Sequence, residues 1–135
     1  NSKNLIEFVT IASTGNSQDF GDLTTARFGN TGTSNSTRAI AAGGNLSPTL
    51  ISSIDFITMA TTGNSTNFGS LSSARTYPGA TSSPIRGVIA GGNTPTHLDT
   101  IEYVSFATEG DAVDFGDMHT SASAGSYFSS AHGGL

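Results

Sequence analysis

"RGVIAGGNTPTHLDTIEYV", residues 86–104, is an apolar strand-like run, a Gly-Gly stop, a polar loop and a second strand-like run. "RAIAAGGNLSPTLISSIDFI", residues 38–57, has the same order of parts, and "SSAHGGL" closes the chain as a damaged third copy of the Gly-Gly end. A shift of 48 lays residues 6–45 on residues 54–93 without a gap, with 20 of the 40 positions identical. Self-similarity at this period marks a repeat architecture. The repeats fall at about residues 5–52, 53–99 and 100–135, in a single repeat domain. The third is offset by 47 and is degenerate, as terminal repeats often are.

The shared skeleton is Ile-acid-Phe, Thr-Gly-Asn-Ser, Phe-Gly-x-Leu, Ala-Arg, a later Arg, and Ala-Gly-Gly-Asn. Its recurring positions are Phe20, Phe68 and Phe115; Arg27 and Arg75; Arg38 and Arg86; and the doublets Gly43-Gly44, Gly91-Gly92 and Gly133-Gly134. The third repeat lacks both arginines. Four strands are expected per repeat. Strand c covers residues 6–12, 54–60 and 101–107, apolar on both faces and therefore covered on both sides. Strand d is short, around "DFGDL", "NFGSL" and "DFGDM". Strand a lies near residues 27–33 and 75–82, and strand b is "RAIAA" and "RGVIA".

Composition agrees with an all-β chain. Of 135 residues, 20 are Ser, 19 Thr and 17 Gly, while only 11% are charged. Disordered chains are usually rich in charge, whereas Thr, Val, Ile and Phe favour strands and Gly, Asn and Ser favour turns. The net charge of −5, with Lys3 the one lysine, removes the basis for nucleic-acid binding. No run of 18 apolar residues is present to insert in a membrane. The absence of cysteine excludes disulfides and thiolate metal sites. No signal-peptide pattern opens the sequence, and its start at Asn1 fits a fragment or a processed product. Asn35, Asn45 and Asn64 sit in glycosylation-type sequons, which chance explains in a chain this rich in Asn, Ser and Thr.

Candidate sites are few. The arginines, with the strand c acids Glu7, Asp55 and Glu102, form either a ring of ligand-binding cations or Arg–carboxylate ties between repeats. Periodic recurrence favours the ties. Asp111, Asp114 and Asp117 offer oxygens for a calcium ion, but their spacing is not that of an EF-hand, and turn capping accounts for them better. His97, His119 and His132 have no metal-site spacing, and no nucleophile elbow accompanies His97 and Asp99. No phosphate-binding loop is present, because the Gly-Gly doublets end strands and do not open helices. The loops after Gly-Gly, with Asn45, Asn93, Thr96 and His97, are the expected binding loops.

These residues resemble kelch repeats: an apolar run into Gly91-Gly92, then Ile101-Glu102-Tyr103, then Phe115-Gly116-Asp117-Met118, with Ala26-Arg27 closing the first copy. The resemblance covers nearly the whole chain. It departs in one respect, since Phe20, Phe68 and Phe115 stand where kelch repeats usually carry tryptophan. It implies four-stranded β-propeller blades in the order c-d, a-b-c-d, a-b-c-d, a-b. Three repeats are too few to close a ring, so the expected partner is a second copy, making six blades; the alternatives are a longer chain or array, or an open solenoid of stacked strands within a fibre. Some kelch propellers are copper oxidases that use Cys, Tyr and His; without cysteine this chain cannot build that cofactor, and none is expected.

The Ser/Thr/Gly-rich, lysine-poor style further resembles structural proteins of phages of marine cyanobacteria. That implies a non-enzymatic virion or extracellular component, such as a tail fibre, a tail-associated protein or a head decoration, meeting other virion proteins or a host surface glycan. The alternatives are a kelch-type protein-interaction scaffold, a lectin-like module and, less well supported, a glycan-active enzyme. A typical glycosidase needs two carboxylates flanking a bond, and no acid pair recurs in such a context.

Overall fold

The computed structural model describes residues 2–130. Over them the chain is all-β, with twelve strands, no helix and four sheets. Strands β1 (Lys3–Phe8) and β2 (Gln18–Arg27) form an antiparallel pair. Strands β3 (Thr31–Ser34), β4 (Arg38–Ala42), β7 (Ser53–Thr58) and β8 (Thr66–Ser70) form a four-stranded antiparallel meander. Strands β9 (Gly79–Ser82), β10 (Arg86–Ala90), β11 (Leu98–Ser105) and β12 (Val113–Ala122) repeat that order. A small hairpin, β5 (Asn45–Leu46) with β6 (Thr49–Leu50), decorates the loop between β4 and β7.

Each four-stranded sheet draws its first two strands from one repeat and its last two from the next. In both, β4 and β10 pair on one side with the preceding strand and on the other with a strand of the following repeat. The core lies where the two large sheets meet. It gathers Ile40, Ala42, Ile54, Phe68, Leu71, Ile89, Val104 and Phe106, with β-branched residues at its centre.

Several strand bounds differ from the sequence expectation. Strand c stops at Phe8, Thr58 and Ser105, and not at the alanines further on. A turn begins there, with Ser13, Thr61 and Thr108 N–H donating to the carbonyls of Thr10, Thr58 and Ser105. A hydroxyl residue is favoured at the first position of such a turn, so Ile11, Met59 and Phe106 belong to the turn and not to the strand. Strand d is ten residues long in β2 and in β12, and it absorbs Ala26-Arg27 in the first. Strand a starts only at Thr31 and Gly79. The expected double cover of strand c also fails in the first repeat: Phe8 and Val9 are exposed, because among the described residues no other sheet packs over β1.

Candidate functional site

The recurring charged residues meet at the seams between sheets. Arg27, at the end of β2, reaches Asp55 on β7 at 2.9 Å. Arg75, after β8, reaches Glu102 on β11 at 2.6 Å. Both pairs are buried. Each guanidinium is also held by backbone: Nη1 of Arg27 donates to Gly43 and Ser53 carbonyls, and Nη1 of Arg75 donates to the Gly91 carbonyl. The planar fork suits this work, because it serves a carboxylate and carbonyls at once. Burial pushes the Arg75 guanidinium below its ordinary value, and the Glu102 carboxylate opposes that shift.

The carboxylates are shared with the neighbouring strand. Asp55 Oδ2 accepts from the Thr24 N–H at 3.0 Å and from Thr24 Oγ1 at 2.7 Å. Glu102 Oε1 accepts from the Ser72 N–H at 2.9 Å while Oε2 takes Arg75, so the longer acid uses both oxygens. Asp55 leaves Oδ1 buried without a partner.

The same seams carry backbone bonds in register. Gly63 N–H donates to the Phe20 carbonyl at 2.7 Å, and Gly110 N–H to the Phe68 carbonyl at 2.8 Å. Ser65 and Ala112 N–H donate to the carbonyls of Asp22 and Ser70. In return, the N–H groups of Asp22 and Ser70 donate to Asn64 Oδ1 and Asp111 Oδ1, both at 3.0 Å. A methyl group on Gly21 or Gly69 would collide with the carbonyl of Gly63 or Gly110, so glycine follows phenylalanine here to let the two backbones touch. Gly44 and Gly92 N–H donate to the carbonyls of Arg75 and Ala122. The Gly-Gly doublets thus end strands b against the backbone of the next repeat; Gly133 and Gly134 lie outside the described residues.

The second arginine pair does something different. Arg38 lies over the Phe56 ring at 4.7 Å and Arg86 over Tyr103 at 4.5 Å. Each of those rings meets its strand d phenylalanine edge-on: Phe56 with Phe68 at 5.6 Å, Tyr103 with Phe115 at 6.0 Å, and likewise Phe8 with Phe20 at 6.0 Å. Arg38 also donates to the Phe106 carbonyl of the next sheet at 2.8 Å.

The other candidates separate. Asp111 caps the Ser70 N–H, and Asp114 Oδ1 accepts from the Gly116 N–H at 3.2 Å. Among the described residues no three acidic, histidine or cysteine side chains group to hold a metal, so the calcium reading of Asp111, Asp114 and Asp117 is not supported. Asn45 and Asn93, expected as loop contacts, are half-buried and bridge to Phe28 and Thr76. Thr96 and His97 are exposed on their loop, His119 is exposed on β12, and His132 lies outside the described residues. Sequence reasoning missed Thr24, Ser65 and Ser72 as seam residues. Their hydroxyls recur at fixed offsets but are hidden among 39 Ser and Thr.

Open recesses of about 130, 240 and 180 Å³ recur beside the turns that follow strand c, against Phe8, Phe56 and Tyr103. They are walled by Thr10 and Asn16, by Thr58 and Asn64, and by Ser105 and Asp111. No family model and no curated protein matches the chain.

Proposed function

We propose that the two four-stranded sheets are kelch-like β-propeller blades, and that the chain is a non-enzymatic structural and adhesive module of a phage virion. The observation that carries this reading is the use of the recurring charged residues. Arg27, Arg75, Asp55 and Glu102 are spent inside seams between sheets, where they act as scaffold. Chemistry that differs from repeat to repeat is left to the exposed loops, including Thr96 and His97. Loops carried on a rigid scaffold are natural recognition surfaces. The a-b-c-d strand order, the 47- and 48-residue offsets and the Gly-Gly ends support blades of the kelch type. The Ser/Thr/Gly-rich, lysine-poor composition supports an extracellular or virion setting.

The ligand fitting this reading is a host surface glycan. Recesses that pair an aromatic ring with hydroxyl and amide side chains can stack on a sugar and bond its hydroxyls. A glycan array probed with the chain tests it. Binding that weakens at least tenfold in T96A or H97A, with the melting temperature unchanged, places recognition on the loop after Gly91-Gly92. Binding that survives those changes but is lost in T58A, with the melting temperature again unchanged, moves it to the recesses. Release of new reducing ends from a bound polysaccharide would replace this reading by a glycan-active enzyme. Absence of any binding would leave a structural role alone.

A further inference from the structure

We infer that two copies of this chain dock head to tail, the β1–β2 end of each on the β12 end of the other, through a copy of the internal seam. The inference rests on treating the repeats as equivalent units, as in the preceding section. Each internal seam has a turn side and a strand side. The turn side donates a glycine N–H and an N–H two residues on, and accepts through an Asn or Asp side chain between them and a strand c carboxylate. The strand side is strand d of the preceding repeat, whose carbonyls accept and whose N–H groups donate.

The head carries a complete turn side with nothing to dock on among the described residues. Gly15, Asn16, Ser17 and Glu7 stand at the repeat positions of Gly63, Asn64, Ser65 and Asp55. Glu7 is exposed, and its carboxylate accepts from Ser17 Oγ at 3.1 Å. The tail carries the strand side. Phe115, Asp117 and His119 stand at the positions of Phe68, Ser70 and Ser72. No hydrogen bond between sheets engages them among the described residues. In register, Gly15 N–H meets the Phe115 carbonyl, Ser17 N–H meets the Asp117 carbonyl, Asn16 accepts from the Asp117 N–H, and Glu7 accepts from the His119 N–H.

Apolar burial points the same way. Phe115 is 56% exposed, whereas Phe20 and Phe68, each covered by a following sheet, are 9% and 3% exposed. Ile11 is 97% exposed, whereas its equivalent Phe106 is 1% exposed against Ile40 and Gly87. Docking brings Ile11 to Val88, the equivalent of Ile40. It also offers the Ile11 carbonyl to Arg86, as Phe106 offers its own to Arg38. Space agrees as well: a methyl group on Gly116 would meet nothing within 4 Å, although the same position in the other repeats is filled by a neighbouring backbone.

One component is missing. Ala122 stands where Arg27 and Arg75 stand, so this seam has no guanidinium. His119, in place of Thr24 and Ser72, brings an imidazole to the Glu7 carboxylate instead. The seam between chains is therefore weaker than the two within a chain, as suits a reversible contact. In a pair, every head meets a tail and no end is left open.

Light scattering after gel filtration, with variants at each end, tests this. The expected mass is twice 13.7 kDa. Ile11→Asp at the head and His119→Asp at the tail, both at exposed positions, should each give one-chain masses with unchanged circular dichroism. Mixed together, they should recover a two-chain species. His119→Asp keeps a sound head, Ile11→Asp keeps a sound tail, and one seam forms between them. A one-chain mass for the unaltered protein at high concentration overturns the docking, and glycan binding by such a monomer would leave the ligand reading intact. A pair that the two variants do not disrupt, or that mixing does not restore, overturns the head-to-tail geometry. A mass that climbs beyond two chains with concentration overturns the closed pair.

Discussion

Arg75 and Arg86 sit eleven positions apart in one repeat and answer to different physics. Arg75 is buried and divides its donors among the Gly91 carbonyl, Ser73 and Glu102. Removing it leaves Glu102 in the interior without its counter-charge, which costs about 3–5 kcal/mol. Arg86 lies on an exposed ring face, where such a contact is worth about 0.5–1 kcal/mol. Urea unfolding of Arg75→Ala should therefore show a large loss of stability, and Arg86→Ala a loss near the limit of measurement. Equal losses would mean that the ion pair is not what holds the seam. A Lys at position 75 should not rescue it, since an ammonium cannot span carbonyl and carboxylate as the guanidinium fork does. That Arg27 and Arg75 pair with strand c acids of the next repeat was legible from their recurrence. Which hydroxyls complete the pairs was not, because Ser and Thr fill so many other positions.

Strands b were readable to the residue, since "RAIAA" and "RGVIA" are bounded by an arginine and by Gly-Gly. Strands a and c were not. The alternating pattern of strand c runs on through Ile11, Met59 and Phe106, but backbone hydrogen bonds close a turn around those residues. Phe106 packs its side chain on a neighbouring sheet, while Met59 and Ile11, with no sheet over them among the described residues, stay exposed. Apolar periodicity reports burial, and in a repeat array a turn residue is buried whenever another repeat covers it. The Phe-Gly step is explained partly by a neighbour and, at Gly21 and Gly116, partly by a positive φ in its own strand. At Gly69 an added methyl group meets the Gly110 carbonyl, while at Gly15 it meets nothing within 4 Å. Overpacking of this kind typically costs about 1–3 kcal/mol. Gly69→Ala should lower the denaturation midpoint by a corresponding amount, and Gly15→Ala should stay within about 0.5 kcal/mol of the parent. A neutral Gly69→Ala would show that the seam has slack.

Stacked repeats have stabilities that approximate a sum of unit terms and nearest-neighbour terms. The β3–β4–β7–β8 sheet has a seam on each side, with Arg27–Asp55 on one and Arg75–Glu102 on the other. The β1–β2 sheet has one seam and only two strands, and an isolated two-stranded sheet is marginal in water. The β9–β12 sheet also has one seam, but it keeps four strands and contributes Ile89 and Val104 to the core, with Phe106 from the turn after β11. Opening should therefore follow the seams. Amide hydrogen exchange at low protein concentration should be fastest in residues 3–8, intermediate in β12, and slowest in β4, β7 and β10, whose amides lie beside the buried core. Residues 3–8 carry a further signature. If the head docks on a second chain, their exchange should slow as concentration rises, while that of β4 and β7 stays fixed, because only the ends gain a neighbour. Uniform exchange across all strands would instead make the molecule one cooperative unit, in which the seams are no weaker than the sheets they join.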